Sequence, residues 1–194
     1  MIMPAPNVSI DRRGGARTAG RWAPSALAAA LLAFVAVDAV QAAGDQGTGS
    51  QSGLPVPRFV SLKSDRVNVR QGPAKDQDVT WVYTRVGLPV EITAEYENWR
   101  RIRDWEGAEG WVYHSLLSGR RTALIATQAK GKDELVPLHD SPDEKSGVAA
   151  RLETGVLAAV KRCSGKWCRI AGDGYDGWIE QDRLWGVYPN EKVD

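Results

Sequence analysis

Side chains that build most active sites are scarce in this sequence. Its 194 residues include two cysteines and two histidines. A zinc site takes four ligands in suitable pairs, and two Cys with two His at these spacings do not suggest one. A cysteine nucleophile needs a histidine base within hydrogen-bond reach, and His114 and His139 stand one in each half of the chain. His139-Asp140-Ser141 offers the three residue types of a hydrolytic triad, but neighbours in sequence cannot converge on one reacting atom. No catalytic residue, metal site or cofactor is therefore expected.

Long apolar runs and clusters of one charge are also missing. The longest apolar stretch, residues 26–37 ("ALAAALLAFVAV"), has 12 residues before Asp38. A spanning helix needs roughly 20. Arg12, Arg13, Arg17 and Arg21 precede the stretch, and Val40-Gln41-Ala42 follows as a small-x-small site. This order describes a secretory signal over residues 1–42, cut after Ala42, with no stable membrane anchor left after cleavage. Arg12-Arg13 leaves the twin-arginine route open beside the general one. Four Arg and two Asp lie in the leader, so the mature part keeps 21 basic and 22 acidic residues, a net of −1. The basic residues form no stretch, which argues against nucleic acid as a partner. The expected location is the periplasm or outside the cell.

A convincing 3.6-residue apolar period is absent beyond the leader. Residues 43–57 ("AGDQGTGSQSGLPVP") have little to bury and are expected to be a disordered linker. After Arg58, short β-rich segments alternate with Gly, Pro, Asn and Asp: Val67–Arg70, Trp81–Thr84, Val90–Ala94, Trp99–Arg103 and Gly110–Tyr113. Such spacing indicates small barrels or sandwiches.

Those segments recur. "VNVRQGP" from Val67 corresponds to "VPLHDSP" from Val136, and "VGLPVEI" from Val86 to "TGVLAAV" from Thr154. "NWRRIRD" (98–104) answers "KWCRIAGD" (166–173), and "GWVYHSLL" from Gly110 answers "GWIEQDRL" from Gly177. Two domains are expected, 58–120 and 121–188, with a tail at 189–194. Glu97-Asn98 and Ser164-Gly165-Lys166 are candidate hairpin turns. Cys163 and Cys168 would then flank a tight hairpin, and an exported protein meets oxidising conditions, so a structural disulfide is expected. Their counterparts are Glu95 and Arg100, read as an exposed ion pair worth roughly 0–1 kcal/mol. A domain of about 60 residues buries only about 60% of its unfolded surface. Trp81, Trp99, Trp111, Trp167 and Trp178 are expected to supply much of the two cores.

These landmarks resemble the bacterial SH3 domain family. Its members open on an "LNVRSGP"-like phrase, carry a mid-domain Gly and a "W-x-x-V" strand, and close on "GWV…L". The first unit shows "VNVRQGP" (67–73), Gly87, Trp99 with Ile102, and Gly110-Trp111-Val112 with Leu117. The second keeps Trp167, Ile170, Gly177-Trp178 and Leu184. The resemblance implies an all-β protein of two tandem, partly open SH3-like barrels after the signal peptide and linker. It also implies non-enzymatic binding, with cell-wall peptide (peptidoglycan) or an envelope protein as partner. A scaffolding protein without a small ligand, or a small cell-wall hydrolase, are the alternatives.

Tyr96, Arg101, Trp105 and Tyr113 are the candidate ligand-binding residues, because aromatics beside arginine have the composition of a recognition patch. Trp105 lies in a turn, "DWEGAEG", where it could equally fold over the barrel end. Alternation puts Arg100 and Ile102 on one face and Trp99 and Arg101 on the other, without saying which faces inward. The segment "WGVYP" (185–189) could pack between the domains or seal the C-terminal end.

Overall fold

The computed structural model describes residues 47–126 and 135–194. The expected signal peptide and the first residues of the linker lie outside the described residues.

The first module contains β3 (Arg58–Leu62), β4 (Val67–Arg70), β5 (Val79–Tyr83), β6 (Pro89–Tyr96), β7 (Trp99–Arg103), β8 (Glu109–Tyr113) and β9 (Leu117–Ser118). A short hairpin, β1 (Gly47–Thr48) with β2 (Pro55–Val56), precedes it. The second module contains β10 (Thr122–Ile125), β11 (Val136–His139), β12 (Val148–Leu152), β13 (Leu157–Ser164), β14 (Trp167–Gly172), β15 (Tyr175–Glu180), β16 (Leu184–Trp185) and β17 (Lys192–Val193). One turn of 3-10 helix separates β8 from β9, and another separates β15 from β16.

The strand order β5-β4-β8-β7-β6-β3-β9 reappears strand for strand as β12-β11-β15-β14-β13-β10-β16. All pairings are antiparallel, and the curled sheets match the SH3-like barrels expected. Shared turn chemistry repeats as well. Gly87 and Gly155 both have φ +82°, which glycine adopts without the penalty a Cβ would bring. Gly87 N–H donates to Leu62 O, and Gly155 N–H donates to Ile125 O.

Aliphatic residues, not indoles, fill the two interiors. Val67, Val69, Val90, Ile102 and Val112 are fully buried in the first, and Leu138, Ile170 and Ile179 in the second. Among the five repeated tryptophans, Trp81 packs against the edge of the first core. Trp99 and Trp167 are buried outside both cores, while Trp111 and Trp178 are half-buried. The Gly-Trp pairs supply the reason. A Cβ at Gly110 would lie 2.4 Å from Val69 Cγ1, and one at Gly177 would lie 2.8 Å from Leu138 Cγ. Each glycine sits on the inner face where two strands approach closely, so alternation sends the following indole outward.

Two further expectations are corrected. Residues 47–57 are not an unstructured arm. Their hairpin is held by Glu95, whose carboxylate accepts hydrogen bonds from the Gln51 and Ser52 N–H groups (3.1 and 2.9 Å) and from the Ser52 hydroxyl (2.6 Å). Nor is Glu95–Arg100 an exposed pair. The Glu95 side chain is fully buried between Arg58 (2.8 Å) and Arg100 (3.2 Å). The expected tail at 189–194 is tied to the second module, since β17 pairs with β13 at Cys163 and Ser164. Arg121 grips Glu191 at 2.6 Å and donates to the Gly186 carbonyl.

The hairpin registers agree with the expectation. Glu95 faces Arg100, and Cys163 faces Cys168, in the equivalent position of each module. The cysteines form a disulfide.

The modules meet along β6, β10 and the segment after β15. Leu124 of β10 is buried within the first module's core, and Leu157 and Trp185 pack against it. Thr122 donates its hydroxyl to the Gly87 carbonyl at 2.6 Å. The "WGVYP" segment does pack between the modules: Phe59 meets Trp185 edge-on at 5.2 Å and Tyr188 at 4.7 Å.

Candidate functional site

Register places an aromatic row across three strands of the first module. Tyr96 on β6 faces Trp99 on β7, which faces Tyr113 on β8. Trp99 and Tyr113 stand edge to face with centroids 5.4 Å apart, and His114 extends the row at 5.1 Å from Tyr113. Tyr96 is 52% exposed at one end. One step along the same outer face, Arg101 lies opposite Trp111, which lies opposite Arg70. Arg101 forms an ion pair with Glu109 at 2.5 Å. The structure thus gathers Tyr96, Arg101 and Tyr113 on one surface and adds Trp99.

Trp105 stands apart from them. It follows β7 at the strand's far end, about 13 Å of strand from Trp99, where it packs on Tyr83 at 6.4 Å. The turn that carries it is built on buried Asp104, whose carboxylate accepts from the Glu106 and Ala108 N–H groups. Tyr83 donates its hydroxyl to the same carboxylate at 2.7 Å. Burial, together with that bond, pushes the Tyr83 hydroxyl well above its ordinary pKa. Trp105 therefore lies over the barrel end, still 41% exposed.

The second module keeps the frame of this surface and changes its lining. Trp167, Arg169 and Trp178 occupy the places of Trp99, Arg101 and Trp111, and the ion pair recurs as Arg169–Asp176 at 2.7 Å. Ser164 replaces Tyr96, and Glu180 replaces Tyr113 as the residue opposite the first indole. His139 covers Trp167 edge-on at 5.5 Å, and the Lys166 ammonium lies 5.9 Å from its ring centroid. Among the described residues, the first module's row has exposed Tyr96 and half-buried Tyr113 on either side of buried Trp99, a pairing the second module lacks.

A cleft of about 490 Å³ opens between the modules. Phe59, Trp185 and Tyr188 form its aromatic lining, with Glu91 and Arg103 from the first module and Lys166, Glu180 and Asp182 from the second. The buried Glu91 carboxylate accepts from the Tyr188 hydroxyl (2.8 Å) and from Arg103 Nε (2.9 Å). Burial raises the Tyr188 hydroxyl well above its usual pKa, and the bond to Glu91 adds to the effect. The sequence marked the "WGVYP" segment only for packing between the domains, and the other cleft residues not at all. The one available signal was the departure of "LWGVYP" from its counterpart "LSGRRT" after otherwise matching strands.

The cysteines, His139 and Ser141, weighed in the sequence for hydrolytic chemistry, have structural surroundings. Both cysteines are consumed in the disulfide. His139 is buried against Trp167 with Nδ1 lacking a partner, and Ser141 is tied to Ser146 within its own turn. No group of three His, Cys, Asp or Glu residues among the described residues could hold a metal ion.

Sequence comparison agrees with the duplicated frame. The bacterial SH3 domain model matches twice, over residues 63–119 and 132–186. The chain belongs to the bacterial SH3 domain family. No curated protein matches it. Among solved structures, it is similar to NlpC1 and NlpC2 from Trichomonas vaginalis, at 14% and 13% identity and a TM-score of 0.30 for each. The alignments cover 71% and 66% of this chain and 48% of each of theirs, so it spans about half the length of those proteins. Within this tandem bacterial SH3 chain, the Trp-x-x-Ile and Gly-Trp landmarks set the barrel frame. The aromatic strip and the cleft are what its two copies do not share.

Proposed function

We propose that this tandem bacterial SH3 chain is an exported, non-enzymatic protein of the bacterial envelope that binds cell-wall peptide through the outer face of its first module. The aromatic strip Tyr96–Trp99–Tyr113 beside Arg101 carries this reading. Those rings serve neither hydrophobic interior, and an aromatic surface with a nearby guanidinium suits extended peptides and the apolar faces of sugars. Family membership supports the same ligand class, since bacterial SH3 domains commonly attach to cell-wall material.

Co-sedimentation with purified peptidoglycan tests the proposal. The wild-type chain is expected in the pellet. Tyr96→Ala and Tyr113→Ala should each weaken retention by about tenfold, the loss of about 1.4 kcal/mol expected for a contact aromatic. Trp105→Ala, on the other end of β7, should pellet like wild type. A wild-type chain that stays in the supernatant overturns the proposal.

A further inference from the structure

We infer that the first module carries a carboxylate pocket, suited to an acidic side chain on an extended partner peptide. The second module shows the same place already filled by its own chain. There Arg121 clamps the Glu191 carboxylate through Nη1 and Nη2 (2.6 and 3.0 Å) and also donates to the Gly186 carbonyl. Gln181 donates its side-chain amide to the Glu191 backbone carbonyl at 2.9 Å. One acidic residue is thus held twice, by its carboxylate and by its main chain.

Strand register names the counterparts in the first module. Arg58 stands beside Ile92 of β6, as Arg121 stands beside Val160 of β13. His114 answers Gln181, since their N–H groups donate to Asn98 and Lys166, each the residue before a repeated tryptophan. Gly119 answers Gly186. Arg58, His114 and Gly119 line one pocket of about 190 Å³. That is below the range of pockets for whole small ligands and suits a single side chain. After Gly186 the chain returns to its own module through β17, whereas after Gly119 it continues into β10.

Charge sets the sign of the ligand. No carboxylate lines the pocket among the described residues, while Arg58 and Arg100 both do. These two guanidiniums share one carboxylate partner, Glu95. In the second module the places of Glu95 and Arg100 are taken by the uncharged disulfide, so Arg121 and Glu191 balance. Arg58 directs Nη1 to the Pro55 carbonyl and Nη2 to Glu95, and Arg100 directs Nη1 to the Glu97 and Trp99 carbonyls. Neither exhausts the five N–H donors of its guanidinium. An entering carboxylate would meet charge-assisted donors, and His114 could hold the adjoining peptide carbonyl as Gln181 does.

Three blocked peptides, titrated calorimetrically into the full chain, test the assignment. N-acetyl-Ala-Glu-Ala-amide should bind saturably, and N-acetyl-Ala-Gln-Ala-amide about tenfold or more weakly. N-acetyl-trialanine, whose only charge is its end carboxylate, should also bind more weakly than the glutamate peptide. Arg58→Gln should weaken the glutamate peptide about fivefold or more. No saturable binding of the glutamate peptide at millimolar concentration, equal binding of either other peptide, or full affinity in the variant each overturns the inference. The peptide comparison uses the wild-type chain, so it stands even if the variant folds poorly. None of Tyr96, Trp99, Arg101 and Tyr113 lines this pocket, so this titration and the peptidoglycan pelleting can fail separately.

Discussion

Replacing Glu95 with Gln tests the physical reasoning about the first module most directly. Burial opposes ionisation of this carboxylate, but the Ser52 hydroxyl, the Arg58 guanidinium and the backbone N–H groups of Ser52 and Gln51 outweigh it. Together they hold its pKa at about 2, down from 4.5. At 1.36 kcal/mol per unit that shift corresponds to about 3.4 kcal/mol. Its hairpin partners Gln51 and Ser52 are themselves exposed, and screening there reduces this to about 2 kcal/mol. Glu95→Gln keeps the shape and removes the charge, so about 2 kcal/mol should be lost at neutral pH. For a chain of this size, the midpoint of thermal unfolding should fall by about 4–8 °C. The folded pKa lies below the unfolded one, so the stabilisation is complete above 4.5 and fades as pH falls towards 2. Urea unfolding of both proteins at several pH values should therefore show the gap closing between 4.5 and about 2. Hydrogen exchange at the Gln51 and Ser52 amides should quicken in the variant, because both donate to Glu95. A gap of the same size at neutral and strongly acidic pH would refute the charge-based account.

Other perturbations probe the second module and the junction. Changing Cys163 and Cys168 together to Ser removes a loop closed over a separation of five residues, and thermal unfolding should show a loss of about 2 kcal/mol. Gly186→Ala should cost about 2–3 kcal/mol in denaturant titration, because φ is +123° and the new Cβ would sit 2.4 Å from the Thr122 carbonyl oxygen. Its counterpart Gly119→Ala meets open space and should be neutral or stabilising by about 0.5 kcal/mol. Tyr188→Phe strips one donor from the buried Glu91 carboxylate and should lower unfolding stability by about 1–2 kcal/mol.

The duplication, the hairpin registers and the disulfide were legible because they depend on spacing alone. Two copies of Trp-x-x-Ile and Gly-Trp align the strands and place Cys163 and Cys168 on either side of the turn, although the turn is Gly165-Lys166 alone because Ser164 still belongs to β13. The direction of the indoles was not legible. Alternation fixes which residues share a face, but only the close approach of Val69 to Gly110 says which face is the interior. Burial of Glu95 was hidden for another reason: two of its hydrogen bonds come from backbone N–H groups more than 40 positions away. Composition describes side chains, so a segment held through its main chain reads as unstructured. Of the candidate binding residues, Tyr96, Arg101 and Tyr113 share one surface because each lies on a facing strand position. Trp105 does not, because proximity in sequence counted the turn as part of the sheet.

Leu124 has a consequence for how this protein can be divided. The sequence repeat suggests a natural cut near residue 120, yet this leucine, supported by Leu157 and Trp185, completes the interior of the preceding barrel. A fragment ending at that cut would lose Leu124, Leu157 and Trp185 from its core cluster and, with apolar surface bared, would be expected to clump rather than stay dissolved. The heritable part is thus the pair, and duplication here has turned two copies of a domain into one indivisible body.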